Sequence, residues 1–353
     1  MLSFLGSKEI YVGLDVGSYF LKIVVADSNW QDMKNLKSCR VDWFTKVPVQ
    51  NITDKEEISA RLSEIFSAYK AQKKVIKVIG CISSPNVIVR TIEVPKKTNM
   101  DKEGAEIARN YIPYKIEEAR YIFYTLNEDI PDSPDKKEVL IVSFLLEDVI
   151  AMNDILAAAG LEKVAVEFDE LGVWRLLEGT NYQNFRNQNN IVVDLGYSIT
   201  KIMVFNNGKL KQMRNLRIGG EEIRKRIIEK TGSSDFTEDQ FERISFNDPR
   251  FAPIISRGFE AITKEIKRTL IAYKGKLEFS NVYIIGGMSY IEGIADYFSR
   301  ETSLNVSSID LSKLSNIIKI DRKIESDFKK QIGIYINALG LALGHGQQKF
   351  VRR

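Results

Sequence analysis

The chain has 353 residues, enough for two or more domains with cores of their own, and its 44% apolar and 28% charged side chains are ordinary for a globular protein. Its 51 basic and 47 acidic residues leave a net charge of +4, too small and too dispersed to point to nucleic acid or an anionic lipid surface. Two cysteines without CxxC spacing, Cys39 and Cys81, and a single histidine, His345, argue against a zinc site, a disulfide framework and a His-dependent hydrolase, and suit a reducing cytoplasm.

The first strand signal, Ile10-Tyr11-Val12, runs into Gly13-Leu14-Asp15-Val16-Gly17-Ser18 and out through Lys22 into a second apolar run, Ile23 to Ala26. This reads as two strands joined by a glycine-bearing turn with one carboxylate at its mouth. Such a turn brings backbone N–H groups close to an anion, and the acid can hold magnesium through water. Standing alone, an Asp-x-Gly in a hairpin is more often just a turn. Cys39 to Phe44 suggests another strand. Asp54 caps a helix whose apolar stripe is Ile58, Leu62, Ile65, Phe66 and Tyr69, and Lys74 to Ile82 is a β-branched strand.

After the break at Ser83-Ser84-Pro85-Asn86, Val87 to Val94 is a strand and Asp101 to Asn110 a helix that stops before Tyr111-Ile112-Pro113-Tyr114. Strands at Tyr121 to Leu126 and Val139 to Leu146 follow, then a helix to Ala159 ended by Gly160. Together they read as a β-α-β-β-α unit, a candidate subdomain over about residues 86–165. Val139 to Leu146 is the longest apolar run, well short of the roughly 18–20 residues that span a bilayer. The apolar segment Met1 to Gly6 is too short for a signal peptide, so a cytoplasmic location without direct membrane insertion is expected. Val164 to Phe168 is a strand, and Glu167 and Asp169 at its end are weak candidates for positioning an attacking water. Carboxylates in such places more commonly have no catalytic role. Leu171 to Leu177 is a short helix before a polar loop.

Ile191 to Val204 then repeats the opening without a gap. Asp194 falls on Asp15, Gly196 on Gly17 and Lys201 on Lys22, a constant offset of 194 − 15 = 179 residues, with Ser198 in the second turn. A self-match at half the chain length points to two related halves, 1–190 and 191–353, facing one another. Two such turns can grip a polyphosphate from opposite sides, with a metal between Asp15 and Asp194. Further on, Gly219-Gly220 precedes a helix, and Phe259, Ile262, Ile266, Leu270, Tyr273 and Leu277 form the stripe of a long one. The strand Asn281 to Ile285 ends in Gly286-Gly287-Met288, the position where open α/β sheets bind ligands.

The ordered triple of two Asp-x-Gly hairpins and a strand ending in Gly-Gly resembles the actin-like ATPase superfamily. The segments Val87 to Pro95, Tyr111 to Glu118 and Ala157 to Leu161 narrow the resemblance to its FtsA/PilM branch, and to the PilM family of type IV pilus assembly proteins. Ala338 to Gly344 is similar to that family's last helix. The resemblance implies an α/β, actin-like duplicated ATPase fold with an inserted β-α subdomain. It further implies ATP or ADP with Mg, held by Asp15, Gly17, Ser18 and Lys22 in the first loop and by Asp194, Gly196, Ser198 and Lys201 in the second. Gly286 and Gly287 would approach the adenosine, Gly219 and Gly220 would border the cleft, and Asp15 and Asp194 would hold the metal through water. The implied partner is the cytoplasmic N-terminal peptide of a PilN-like inner-membrane protein, in a groove for which Val87, Val89, Tyr111, Ile112 and Pro113 are the candidates. Tyr19, Phe20, Tyr197 and Met288 depart from the family's smaller residues, and a bulky side chain in such a loop either points away or occupies phosphate space.

These readings favour a cytoplasmic ATP-binding scaffold, held at the inner membrane by its partner, with slow or absent ATP turnover. Contacts with pilus motor ATPases and a platform protein, and self-association into a ring, are implied with it. An FtsA-like filament former would end in an amphipathic membrane helix, which the Gly344 to Arg353 tail does not offer, and His345 is expected to be solvated there. A small-molecule kinase would need a pocket-bearing insert that the compact 86–165 unit does not provide.

Overall fold

The computed structural model describes residues 9–130, 132–232, 241 and 243–347. The expectations for Met1 to Gly6 and for residues beyond Gln347 lie outside them. The chain opens with an antiparallel meander of β1 (Glu9–Val16), β2 (Phe20–Trp30) and β3 (Leu36–Pro48). Two parallel strands, β4 (Val75–Ile82) and β8 (Glu162–Val166), extend it on the β1 side. The same plan recurs later: β9 (Asn190–Leu195), β10 (Thr200–Asn206) and β11 (Lys209–Leu216) form the meander, and β12 (Asn281–Ile285) and β13 (Val306–Ser308) run parallel beside β9. Asp15 pairs with Lys22 across β1 and β2, and Asp194 pairs with Lys201 across β9 and β10. The repeat in the sequence is therefore a repeat of strand register. The Asn207-Gly208 turn between β10 and β11 places both residues at positive φ, 48° and 73°, the geometry that a two-residue hairpin requires.

Between β4 and β8 lies the insertion: β5 (Ile88–Pro95), α3 (Met100–Arg109), β6 (Ala119–Asn127), β7 (Lys136–Leu145) and α4 (Leu146–Ala158). Its three strands do not stand apart as a sheet of their own. They join the second meander through a short pairing of β5 with β11, which gives an eight-stranded sheet in the order β13-β12-β9-β10-β11-β5-β7-β6. Helix α3 covers one face of these strands, burying Ala108 with Val94, Val139 and Ile141. Helix α4, grouped with this unit in the sequence reading, instead buries Met152, Ile155 and Leu156 against the first sheet with Ile58 and Leu62. Its apolar residues face β4 and β8 because the chain has already crossed back when β7 ends.

Asp54 caps α1 (Lys55–Ile65), accepting from the Glu57 amide at 2.9 Å. The single stripe expected to reach Tyr69 breaks at Phe66, where a short α2 (Ser67–Ala71) begins, and both aromatic rings remain buried. The middle helices are α5 (Leu171–Thr180) and α6 (Gly220–Thr231). The long amphipathic helix is α7 (Ala252–Tyr273), followed by α8 (Ile294–Thr302) and a final α9 (Glu325–Gln347). After α8 the chain returns to the first half. Strand β14 (Ile318–Ile320) pairs with β3 to complete the six-stranded sheet β14-β3-β2-β1-β4-β8, and α9 packs across it.

Helix α9 is apolar on nearly every side because it fills the space between β1, β2 and α5. A Cβ on Gly340 would lie 1.8 Å from the Gly172 carbonyl oxygen, and one on Gly13 would lie 1.8 Å from that of Ala338. His345 sits inside this packing rather than in solvent. Its ring centroid is 5.0 Å from that of Tyr11, and Nε2–H donates to the Val12 carbonyl at 3.2 Å. Burial lowers its pKa to about 4. Among the described residues, no helix is long and apolar enough to cross a membrane.

Candidate functional site

The two equivalent turns meet head-on where the halves face each other. Asp15, Gly17, Ser18 and Lys22 from the first, and Asp194, Gly196 and Lys201 from the second, line one cavity with Gly287 and Met288. The sequence thus identified a set of residues that the fold does bring together. What fills the space between them was not legible.

Across the mouth, Tyr19 stacks on Tyr197, with ring centroids 4.3 Å apart and planes 23° from parallel. Arg224 of α6 donates from Nη1 to the Tyr19 hydroxyl at 3.0 Å. Beside the rings, the Ser198 amide donates to Ser18 Oγ at 3.2 Å, a direct bond between the two turns. Phe20 also lines the cavity, with the Lys46 ammonium 4.6 Å from its ring centroid. Met288 is buried, with its sulfur against Gly220.

Three of the amides placed to face an anion are engaged within the chain. The Gly17 N–H closes its own turn on the Phe20 carbonyl at 3.0 Å. At the start of α6, the Gly220 and Glu221 amides donate to the Gly196 and Tyr197 carbonyls at 3.1 and 2.9 Å. A Cβ on Gly219 would lie 2.3 Å from the Tyr197 carbonyl oxygen, so the glycine there serves a close approach of α6 to the second turn. Ser198 Oγ donates to Glu221 Oε2 at 3.1 Å, which places a carboxylate of the chain at the helix N-terminus. Gly286 takes φ +90° and packs on Asp194, whose Oδ1 would be 2.0 Å from a Cβ. Gly287 alone of these glycines faces open space.

The carboxylates are neutralised from within. Lys22 Nζ lies 2.9 Å from Asp15. Lys201 Nζ lies 2.5 Å from Asp169 and 2.9 Å from Glu170, and these three side chains are only 4%, 0% and 1% exposed. Lys201 comes from the second half and both acids from the end of the first, so the triad joins the halves. Burial opposes the Lys201 charge, but Asp169, Glu170 and Asp194 outweigh it and hold its pKa well above that of an ordinary lysine. Burial pushes Glu170 well above the usual carboxylate range despite Lys201, with Asp194 beside it adding to the rise. A buried pair of this kind gains little net stability over an apolar one, but removing one partner leaves an unpaired buried charge, at a cost of ~3–5 kcal/mol. Glu170 escaped the sequence reading. Its φ of +73° at the start of α5 has no signal in the residue type.

The weak catalytic candidates do not stand at the cavity as free carboxylates. Glu167 is gripped by Arg175 through two bonds of 2.8 Å, beside the last turns of α9, because β8 delivers it to that side of the sheet. Asp169 is sealed beneath Lys201. Neither lines the cavity.

With the two turns closed on each other as they stand, the space between them is smaller than a magnesium nucleotide. The cavity holds about 60 Å³, against about 300–1,000 Å³ for pockets that take ligands of that size.

The candidate groove residues are also redistributed. Val87 and Val89 are buried in the central core and Ile112 in the core beneath α3, so their side chains line no open groove. The alternation that marks a strand also sends its apolar residues inward. Pro113 is exposed and Tyr111 half-buried. Tyr111 lines a separate polar cleft with Arg90, Glu138, Lys211 and Tyr273.

A model of the type IV pilus assembly protein PilM family matches residues 13–345. The chain belongs to the PilM family. Its structure is similar to that of a PilM-PilN type IV pilus biogenesis complex, with 21% identity, TM-score 0.76 and coverage of 95% of this chain and 98% of that one. It also resembles the ethanolamine utilization protein EutJ from Carboxydothermus hydrogenoformans, with 17% identity, TM-score 0.56 and coverage of 97% and 92%. MreB5 of Spiroplasma citri bound to ADP follows, with 15% identity, TM-score 0.52 and coverage of 92% and 97%. Together these establish the actin-like fold of this PilM-family chain, with its α/β halves and the insertion carried on the second sheet.

Proposed function

We propose that this chain is an actin-like scaffold of a type IV pilus assembly machine, and that it docks the cytoplasmic N-terminal tail of a PilN-like inner-membrane protein. The observation that supports the docking is a set of exposed apolar side chains on β6 and α4, where the insertion adjoins the first half. Tyr124 on β6 and Leu146 and Ile150 on α4 are 36%, 39% and 47% exposed. Half-buried Ile122 and Val149 continue the seam inward to the central core. The Tyr124 ring meets Trp174 of α5 edge-on at 6.4 Å.

Strand β6 also ends its sheet, so one edge of its backbone has no strand partner among the described residues. An extended peptide can add to such an edge by main-chain hydrogen bonds and lay alternate side chains into the seam. This moves the docking surface from the Val87, Val89 and Ile112 positions to the solvent side of the same unit. In this reading the chain has two actin-like halves that divide near residue 190, with β14 and α9 returning to the first, and lies in the cytoplasm against the inner membrane through its partner. Contacts with motor ATPases and a platform protein, and self-association, belong to the same proposal. ATP or ADP with magnesium is left out of it, and no phosphoryl step is assigned to the cavity.

Titrating a fluorescent peptide of the PilN-like tail into the full chain tests the docking. Saturable binding is expected, weakened at least about tenfold in Leu146→Asp/Ile150→Asp while the melting midpoint holds, because both sites are already exposed. No affinity, or affinity indifferent to both substitutions, removes the reading.

A further inference from the structure

In both halves the turn that the fold aims at the cleft carries a tyrosine, and the two rings stack on each other across its mouth. Stacking of this closeness leaves no gap for a phosphate chain between the turns. Behind the rings, the Ser198 amide bonds the Ser18 hydroxyl, and Lys201 ties Asp169 and Glu170 of one half to β10 of the other. An ammonium of the chain thereby balances the two carboxylates buried beside the cavity. The first amides of α6 and the Gly17 amide are spent on the chain's own carbonyls. Several groups that could welcome a nucleotide are therefore satisfied by groups of the same chain, and the cavity they border holds about 60 Å³.

We propose that Tyr19 and Tyr197 form a latch, with Lys201 as its internal counter-ion, which holds the cleft shut in place of a magnesium nucleotide. A nucleotide then enters only when the two turns part. Because binding must be preceded by opening, the apparent affinity is the intrinsic affinity scaled by the open fraction; one open molecule in about ten weakens it about tenfold. The latch rests on different residues from the docking seam, so either can fail alone.

The experiment titrates a fluorescent ADP analogue with magnesium into the full chain and into Tyr19→Ser/Tyr197→Ser. The expected result is binding at least about tenfold tighter in the double variant. Equal affinity in the two proteins, whether both bind or neither does, overturns the latch. If the double variant does not melt cooperatively, Tyr197→Ser alone takes its place under the same criterion. A second readout uses the unmodified chain: purified protein is heat-denatured and the supernatant assayed for ATP and ADP. No release is expected, and release in amounts equal to the protein overturns the proposal.

Discussion

At Lys201 an ammonium lies within 2.9 Å of two carboxylates, with almost no solvent around any of the three. Its equivalent in the first half, Lys22, pairs instead with the acid of its own turn. The two positions coincide in register and differ in role, because Asp169 and Glu170 reach only the second. His345 shows the same dependence on surroundings. Its pKa falls from 6.5 to about 4 because burial beside Tyr11 and Val12 disfavours the charged ring. An unfolded chain binds that proton from about pH 6.5 downward while the folded one does not. Stability is therefore complete above about pH 6.5 and declines as the pH falls toward 4, by at most ~3 kcal/mol. Urea melts at pH 7 and pH 5 should show this loss in the wild type and a smaller one in His345→Gln; equal losses would assign the effect to other groups.

Helix α9 joins what the linear order separates. It comes last in the chain, yet it lies against β1, the first described strand, and against α5. Close approach is possible because Gly13, Gly172 and Gly340 present bare backbone at the crossings. A methyl group on Gly340 has no space beside the Gly172 backbone, which cannot swing aside as a flexible side chain would. Gly340→Ala is expected to destabilise the chain by more than ~3 kcal/mol, the upper range for a core substitution. Denaturant melting checks it, and a loss below about 1 kcal/mol would show that α9 can slide.

The whole molecule is two copies of one meander-and-parallel-strand plan, closed on each other by chain-internal contacts and carrying a three-stranded extension on the second sheet. A nucleoside triphosphatase of this plan would need a group that orients water and a cavity that admits triphosphate. Glu167 is held by Arg175, Asp169 by Lys201, and the space is about 60 Å³. Purified chain supplied with ATP and magnesium is therefore expected to release phosphate no faster than a no-protein control. Turnover of several per second, measured by continuous phosphate assay, would show that the cleft opens readily and that another residue positions the water.

Local signals in the sequence were enough for most of the elements. Asp54 as a cap, Asn207-Gly208 as a hairpin and the β-branched runs each act through neighbours a few residues away, so their outcome was readable before folding. The gapless repeat of Asp15 and Lys22 at Asp194 and Lys201 determined more than elements, because identical register puts equivalent residues at equivalent places on two related sheets. Tertiary structure alone decided what those residues touch. The pairing of Tyr19 with Tyr197, the meeting of Lys201 with Glu170 and the burial of His345 join positions 178, 31 and 333 residues apart, taking Val12 as the partner of the last. Contacts at such separations depend on how the halves are turned toward each other, and no local preference encodes that. The first turn could be read as half of a clamp; that the clamp is closed on itself was decided by packing.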